Sequence, residues 1–559
     1  MLRHGARAIL RGHAIARRLL SAAAGGGSGG ECYGSEEAYL AALASRSALP
    51  RGFRVGTTTF SFSPAELANR KAKMTLTLLA LDAPTPSFAA MFTTNAFPGA
   101  PVLVGRERVR SSPALQAVVI NNKISNVCAP NGVAASEALC AGAAAQLALP
   151  SPSLVLPCST GIIGWGLPVP DMVAAIPAAA TSLQRDSILP AAVGICTTDL
   201  FPKVRCAVLP GGARIVGIAK GAGMVEPGLA TMLVYILTDA IISQGDLRAA
   251  LAAACAPTFN SLSIDSDMST SDTLLALASN AVPLAGATPA AALADFTAAL
   301  TRISAQLSED IVRNGEGVAH VIKVRLRNAP SLPLARAVGK AIVNSPLFKC
   351  AVAGNDPNVG RLVAAIGKCV GGMPEGERRG LDMQRVTLTM GGREIFSKGV
   401  FALNPDTEAA LVKHLKEAQL WGACFCVCSL PVCRRAPLSL PPLPVYLPWL
   451  RWAAPSAAHF FARPILLTLT RARTTPRTPC PPESHPCVAA GAVARPTSGS
   501  AAATYAAADV SFATPIRYPP HERCVEVSVD FGCAGGVETL ILGSDLTHEY
   551  VAENADYRS

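Results

Sequence analysis

The sequence predicts an α+β fold in which sheets and helices form layers, with a main lobe and one or more smaller lobes. Three observations carry that expectation. Short β-branched runs bounded by turn residues recur along the chain, as strands do. Helical stretches fall between them with hairpin-like connections, not with the strict alternation of a doubly wound sheet. Half of the residues are apolar but only 5% are aromatic, so the cores are expected to consist of Ala, Val, Leu and Ile. At 559 residues the chain is too long for one ordinary domain.

Residues 31–49 read as a helix, and strand-like text begins at Gly52. Residues 73–82, 88–95, 114–122 and 153–161 read as strands, and the Ala-rich residues 132–149 as a helix. Residues 205–220 read as a hairpin around Gly211-Gly212, whose permissive backbone suits a tight turn. The apolar run after Thr231 reads as helical to about Ala254, and residues 272–279 and 289–314 as further helices. Residues 319–328 and 385–396 read as strands, with helices near 334–343 and 361–370. From about Gln419 to Pro520 there are seventeen Pro and no Lys. Pro blocks helix interiors and central strands alike, so residues 418–520 read as a Pro/Arg-rich low-complexity insertion. Residues 524–532 and the closing stretch return to folded-domain composition.

The net charge of +11 does not mark a nucleic-acid binder. Residues 1–30 hold five Arg and no acid, and residues 418–520 hold nine Arg and two acids. Without these segments the remainder is close to neutral, so no basic nucleic-acid face is indicated. No stretch of about 18 uninterrupted apolar residues occurs, which argues against a membrane span. Residues 1–30 have the Arg-spaced, acid-free composition of an organelle transit peptide, which leans to the mitochondrial matrix with the plastid stroma open. Most of the seventeen Cys, such as Cys158, Cys196, Cys206, Cys255, Cys350 and Cys369, sit alone in apolar runs and read as buried small hydrophobes. Cys424, Cys426, Cys428 and Cys433, with Cys480, His485 and Cys487, match no paired zinc spacing, and no metal site is expected.

Several polar groups stand where chemistry is plausible. Thr160 and Gly161 follow a strand at a turn, where a hydroxyl and a backbone N–H can hold an oxyanion. Thr197 and Thr198 lie in "ICTTDLFPK", Lys220 in "IAKGAGM", and Glu316 between two glycines. Asp265 and Asp267 read as helix caps ahead of the run from Thr273. With Asp272 they lack the spacing of a calcium loop. "GAGMVEPG" lacks the Lys-Ser/Thr of a phosphate loop. No His sits in a triad context, so a nucleophile here needs some other base. Thr231, between Ala230 and an apolar run, reads either as a helix start or as a nucleophile that becomes a chain terminus.

These pieces occur in an ordered set. The set comprises Phe92-Thr93-Thr94-Asn95, Ser159-Thr160-Gly161, Thr197-Thr198-Asp199, Lys220-Gly221-x-Gly223-Met224, Ala230-Thr231-Met232-Leu233 and Gly315-Glu316-Gly317. It continues with Asn344-Ser345-Pro346, Asp356-Pro357-Asn358-x-Gly360-Arg361 and Asp545-Leu546-Thr547-x-Glu549-Tyr550. The set resembles the ornithine acetyltransferase family, also called bifunctional glutamate N-acetyltransferase, of arginine biosynthesis. The resemblance covers roughly residues 51–417 and 521–559.

It implies a precursor that cuts itself between Ala230 and Thr231 into an alpha chain (31–230) and a beta chain (231–559), two of each forming a heterotetramer with a sandwich-like first lobe. It implies Thr231 as nucleophile, Thr160 and Gly161 as oxyanion hole, and Thr197, Lys220, Thr231, Glu316, Asn554 and Ser559 as substrate contacts. The small-molecule substrates would be N2-acetylornithine and glutamate. No cofactor is implied, and acetyl-CoA stays open as a co-substrate. The free α-amine of a terminal Thr231 titrates near ~8, so it can serve as its own base. Three departures stand out: Lys123 at a usual Gly, Gly228-Leu229 at a usual Asn-Met, and Val359 at a common Trp. Two other readings stay open, an N-terminal-nucleophile amidohydrolase or aminopeptidase of related fold, and an uncleaved inert relative.

Overall fold

The computed structural model describes residues 33, 35–67, 70–226, 232–420 and 518–555. The expected transit peptide, most of the expected insertion, and Ala230, Thr231 and Ser559 lie outside the described residues. So do the Gly228-Leu229 departure and the cysteines weighed for zinc from Cys424 to Cys487. Within these bounds the fold is mixed α+β with three sheets.

After helix α1 (Glu36–Arg46), strands β1 (Phe53–Phe62), β2 (Ala72–Thr85), β4 (Leu115–Asn121) and β5 (Val155–Ser159) form the first sheet, in that order. The second sheet runs β3 (Phe88–Phe92), β10 (Thr273–Val282), β8 (Leu233–Ala240), β7 (Arg214–Lys220), β6 (Lys203–Val208). The two sheets pack face to face. Phe53, Leu79, Val118 and Leu156 from one meet Val216, Leu233, Tyr235 and Leu275 from the other in a single buried cluster. The outer face of the first sheet, including Met74, Leu76, Leu78 and Val119, is covered by α3 (Gly132–Gln146) and α4 (Val169–Thr181). The outer face of the second, including Val234, Ile236, Leu274 and Ala276, is covered by α6 (Gln244–Cys255) and α7 (Pro289–Arg313). The lobe is therefore a helix–sheet–sheet–helix sandwich. Helix α2 (Ala100–Ser111) and the short α5 (Leu189–Gly194) complete it.

Two-sided burial explains two corrections. Residues after Thr231 and residues 272–279 are strands β8 and β10, not helices; only Gln244–Cys255 is helical. A strand with helices on one face and a sheet on the other is apolar at every position, so its text loses the period of two and cannot be told from a buried helix. Asp265 and Asp267 consequently cap no helix. Helix α7 was readable because its signals agree. Thr288 accepts from the Ala291 amide at 3.1 Å and Pro stands at the start. Its apolar stripe of Phe296, Leu300, Ile303, Leu307 and Ile311 follows the helical period. Cys140, Cys158, Cys196 and Cys255 are buried as expected, Cys206 and Cys369 are half-buried, and Cys350 is exposed. Cys350 lies on the outer side of α9 (Pro346–Ala353), whose inner side is taken by Phe348, Ala351 and Val352.

The second lobe is a seven-stranded sheet ordered β14 (Val400–Phe401), β13 (Arg393–Ser397), β12 (Thr387–Met390), β15 (Val525–Asp530), β11 (Val321–Ala329), β16 (Val537–Ser544), β9 (Leu262–Ser263). Helices α8 (Leu332–Val343), α10 (Val359–Gly372) and α11 (Pro405–Ala418), with Phe348 and Val352 of α9, supply the rest of its core. The segment from Val525 to Asp530 thus enters the sheet between β12 and β11. His521 Nε2 donates to the Gln419 carbonyl at 3.1 Å. The two ends of the described chain thus meet at one point, so the expected insertion between them need not part the sheet. Buried His320, at the start of β11, meets Asp545 through Nδ1 at 2.8 Å and Asn355 through Nε2 at 3.2 Å. That contact brings the Asp545 motif beside the stretches that follow Gly315-Glu316-Gly317 and precede Asp356-Pro357-Asn358.

The last helix, α12 (His548–Ala555), docks on Gly317. Thr547 Oγ1 donates to the Gly317 carbonyl at 2.5 Å. Gly317 has φ +60°, and a Cβ there would lie 2.1 Å from the Tyr550 nitrogen.

Two outcomes are expected. Phe296→Ala, at a side chain with no exposure, should cost about 3–5 kcal/mol in urea unfolding; a loss below 1 kcal/mol would contradict the packing of α7. Gly317→Ala should release α12, seen as faster amide exchange over residues 548–555 at unchanged exchange in β11.

Candidate active site

Several chain segments converge where β5, β7 and α7 end. Thr160 and Gly161 leave β5 beside the loop that leaves β4. The Thr160 amide donates to Asn121 O at 3.1 Å, and the Ile162 amide to Lys123 O at 2.9 Å. Gly161 has φ +128°, and a Cβ on it would lie 2.2 Å from the Lys123 carbonyl carbon, so only glycine fits. The Gly161 amide has no partner among the described residues. Lys123 itself takes φ +72°. That is the conformation glycine adopts freely, so the Lys keeps the turn at a cost of roughly 1–2 kcal/mol.

Lys220, the last residue of β7, donates from Nζ to Thr160 Oγ1 at 3.1 Å. The Thr160 oxygen is then an acceptor toward Lys220, and its own proton is left for another acceptor. On the other side of Gly221, buried Glu316 is held at both oxygens. Thr198 Oγ1 donates to Oε1 at 2.7 Å and Asn554 Nδ2 to Oε2 at 2.9 Å. The Glu316 amide donates to Ala222 O at 3.0 Å. A Cβ on Gly223 would lie 2.3 Å from Glu316 Oε2, which explains the glycine. Asn554 reaches the site because α12 is seated on Gly317.

Asp199 lies under these groups with a fully buried side chain. Its Oδ1 accepts from Lys203 Nζ at 2.6 Å, the Gly221 amide at 2.9 Å and Asn314 Nδ2 at 3.2 Å. Its Oδ2 accepts from the Thr197 amide at 3.0 Å. Burial pushes this carboxyl up, but the charges of Lys203 and Lys220 and the hydrogen bonds from Lys203 and Gly221 outweigh it, holding Asp199 well below the usual carboxylate range.

The segment beyond Gly223 is pinned by Asp265. Met224 N donates to its Oδ2 at 2.5 Å and Val225 N to its Oδ1 at 2.7 Å. The Glu226 amide donates to Asp267 O at 2.8 Å. Beyond the undescribed residues 227–231, Met232 O accepts from Thr273 N at 3.0 Å, and Leu233 faces Lys220 across the β7–β8 ladder. Asp272 is buried with Oδ2 unpartnered among the described residues. Burial holds its carboxyl well above the usual range. No group of three His, Cys, Asp or Glu among the described residues is arranged to hold a metal ion, and no described helix is long and apolar enough to cross a membrane.

The structure thus joins Thr160 directly to Lys220 and Glu316 directly to Asn554, and links Thr197 to the Lys220–Gly221 segment through Asp199. Asp199 and Asn314 received no role from the sequence. The available signal was weak: an Asp four residues before a Lys in an otherwise apolar stretch.

The model of the ArgJ family matches residues 61–421. The chain is 41% identical over 349 residues to the arginine biosynthesis bifunctional protein ArgJ of Gluconobacter oxydans, covering 61% of this chain and 80% of that protein. It is 39% identical over 347 residues to the mitochondrial protein of the same name from Aspergillus terreus, covering 59% and 74%. The crystal structure of an ornithine acetyltransferase complexed with ornithine from Mycobacterium tuberculosis aligns at 29% identity with a TM-score of 0.29, over 33% of this chain and 97% of that one. The matched span contains Thr160, Lys220, Glu316 and the buried Asp199 beneath them, and the chain belongs to the ArgJ family of bifunctional arginine biosynthesis proteins.

Proposed function

We propose that the chain is a self-cleaving acetyltransferase that moves an acetyl group from N2-acetylornithine to glutamate through an acetyl-Thr231 intermediate. The observation that carries this reading is a cation and an anion held on either side of Gly221, with Lys220 on the Thr160 hydroxyl at 3.1 Å and Glu316 on the Thr198 hydroxyl at 2.7 Å and on Asn554 at 2.9 Å. Chain length supports the place of the nucleophile. Two residues span at most about 7 Å, so Thr231 stays within that distance of Leu233, opposite Lys220.

In the first reaction the Thr231 hydroxyl adds to the Ala230 carbonyl and its proton passes to the departing amide nitrogen. Water then cleaves the ester, leaving an Ala230 carboxylate and a free Thr231 α-amine. In turnover that amine takes the hydroxyl proton as Thr231 attacks the acetyl carbonyl. The oxyanion would be met by the Thr160 hydroxyl and the Gly161 amide. Lys220 strengthens the Thr160 donor by polarising its oxygen. Ornithine leaves with the proton, and glutamate takes the acetyl group by the reverse path.

Lys220 suits a substrate carboxylate and Glu316 an ammonium. Thr197, Asn554 and Ser559 complete the proposed contacts. The products of the cut are residues 31–230 and 231–559, assembled as two copies of each. Residues 1–30 would direct the chain to the mitochondrial matrix, with the plastid stroma as the other destination, and acetyl-CoA is a second candidate acetyl donor.

Thr231→Ala should yield one uncut chain by intact mass and no turnover; residual acetyl exchange would remove Thr231 from the mechanism. Thr160→Val should lower kcat by about 10²–10³ at little change in KM. Incubation of N2-acetylornithine with glutamate should give N-acetylglutamate, whereas release of acetate alone identifies a hydrolase.

A further inference from the structure

We infer that Asp199 is a positioning residue that sets the distance between Lys220 and Glu316, and so the length of substrate the site accepts. The inference rests on the reading of Lys220 and Glu316 as substrate contacts. Four donors from three separate segments end on this one carboxylate. The Thr197 amide belongs to the loop after α5, and the Gly221 amide adjoins Lys220. Asn314 caps the end of α7 two residues before Glu316, and also accepts from the Leu200 amide at 2.8 Å. Thr198, next to Thr197, in turn holds Glu316 Oε1 at 2.7 Å. The cation and the anion that face substrate are therefore tied to a common point that touches no solvent.

A buried carboxylate can do this where a neutral amide cannot. Both of its oxygens accept, and its charge is balanced locally by Lys203 at 2.6 Å, whose side chain is equally buried. In Asp199→Asn, the single oxygen can stay with the Lys203, Gly221 and Asn314 donors. The new NH2 then points at the Thr197 N–H, two donors face each other, and the Thr197–Thr198 loop is released from Glu316.

The experiment uses the full-length protein in three forms: wild type, Asp199→Asn, and Asp199→Asn with Lys203→Met. The double variant removes the buried cation that the single variant leaves uncompensated. Intact mass follows cleavage, thermal unfolding follows stability, and steady-state kinetics are measured with N2-acetylornithine and with its homologue one methylene longer. Both variants are expected to raise KM for N2-acetylornithine about 10- to 100-fold at nearly constant kcat. Both should also lose several-fold of the preference for the shorter substrate. The double variant should regain thermal stability without regaining KM or selectivity. Recovery of KM and selectivity together with stability would reduce Asp199 to a counter-charge for Lys203 and overturn the inference. Unchanged KM and selectivity in the single variant would do the same. Absence of exchange in the wild type strikes at the proposed activity instead, and is read separately.

Discussion

The two-sided burial of β8 is the constraint on which the rest of the molecule depends. Leu233, Tyr235 and Leu237 point into the space between the sheets, while Val234 and Ile236 point into the helices. A strand packed on both faces cannot slip by one residue without sending every side chain into the wrong layer. Its register with β7 is therefore rigid, and Lys220 stands opposite Leu233. The chain that reaches β8 from the Gly-rich segment is held just as firmly on its other side, where Asp265 takes the Met224 and Val225 amides. Five residues, 227–231, connect these two fixed points. Fixed ends are what the proposed intramolecular acyl shift would need, because the entropy of bringing hydroxyl and carbonyl together would then be largely met by folding.

The polar part of the site follows the same economy. Glu316 and Asp199 each accept at both oxygens from different segments, so each acts as a fastener before it acts as a charge. Glu316 joins the end of α7 to the loop after α5 and to α12. Asp199 joins that loop to β7 and α7. Burying such groups is costly, and removing one member of a buried pair typically costs about 3–5 kcal/mol. The compensation here is geometric. A network with its members satisfied holds a small set of polar atoms in one arrangement, and the glycines at 161, 223 and 317 let the backbone come close enough to complete it.

Two of the three departures from the family pattern, Lys123 and Val359, fall where the described structure can absorb them. Lys123 accepts a left-handed φ and keeps its carbonyl on the Ile162 amide. Val359 is buried at the first turn of α10, where it packs with the second-lobe core. The expected insertion is flanked by a hydrogen-bonded pair, Gln419 and His521, close to the starts of the paired strands β15 and β11. Chain length in such a position is tolerated because closing a longer loop costs little more than closing a short one.

Local chemistry alone determined a good deal of this protein. The β6–β7 hairpin around Gly211-Gly212, helix α7 with its Thr288 cap, and β2 and β4 each carry a signal within their own few residues. The ordered motifs carried the family, and with it Thr160, Lys220 and Glu316 as candidates. Two things needed the tertiary structure. The first was the identity of β8 and β10, because burial on both faces erases the periodicity by which a strand is recognised. The second was the role of Asp199, Asn314 and Asp265. Some partners of Asp199 and Asp265 are backbone amides 22 to 41 residues away, Gly221, Met224 and Val225, and an amide has no side chain by which its place in the text could be read. Asp265 looked like a helix cap because a cap uses the same bond, carboxylate to free N–H; only the folded chain decides whose N–H it is.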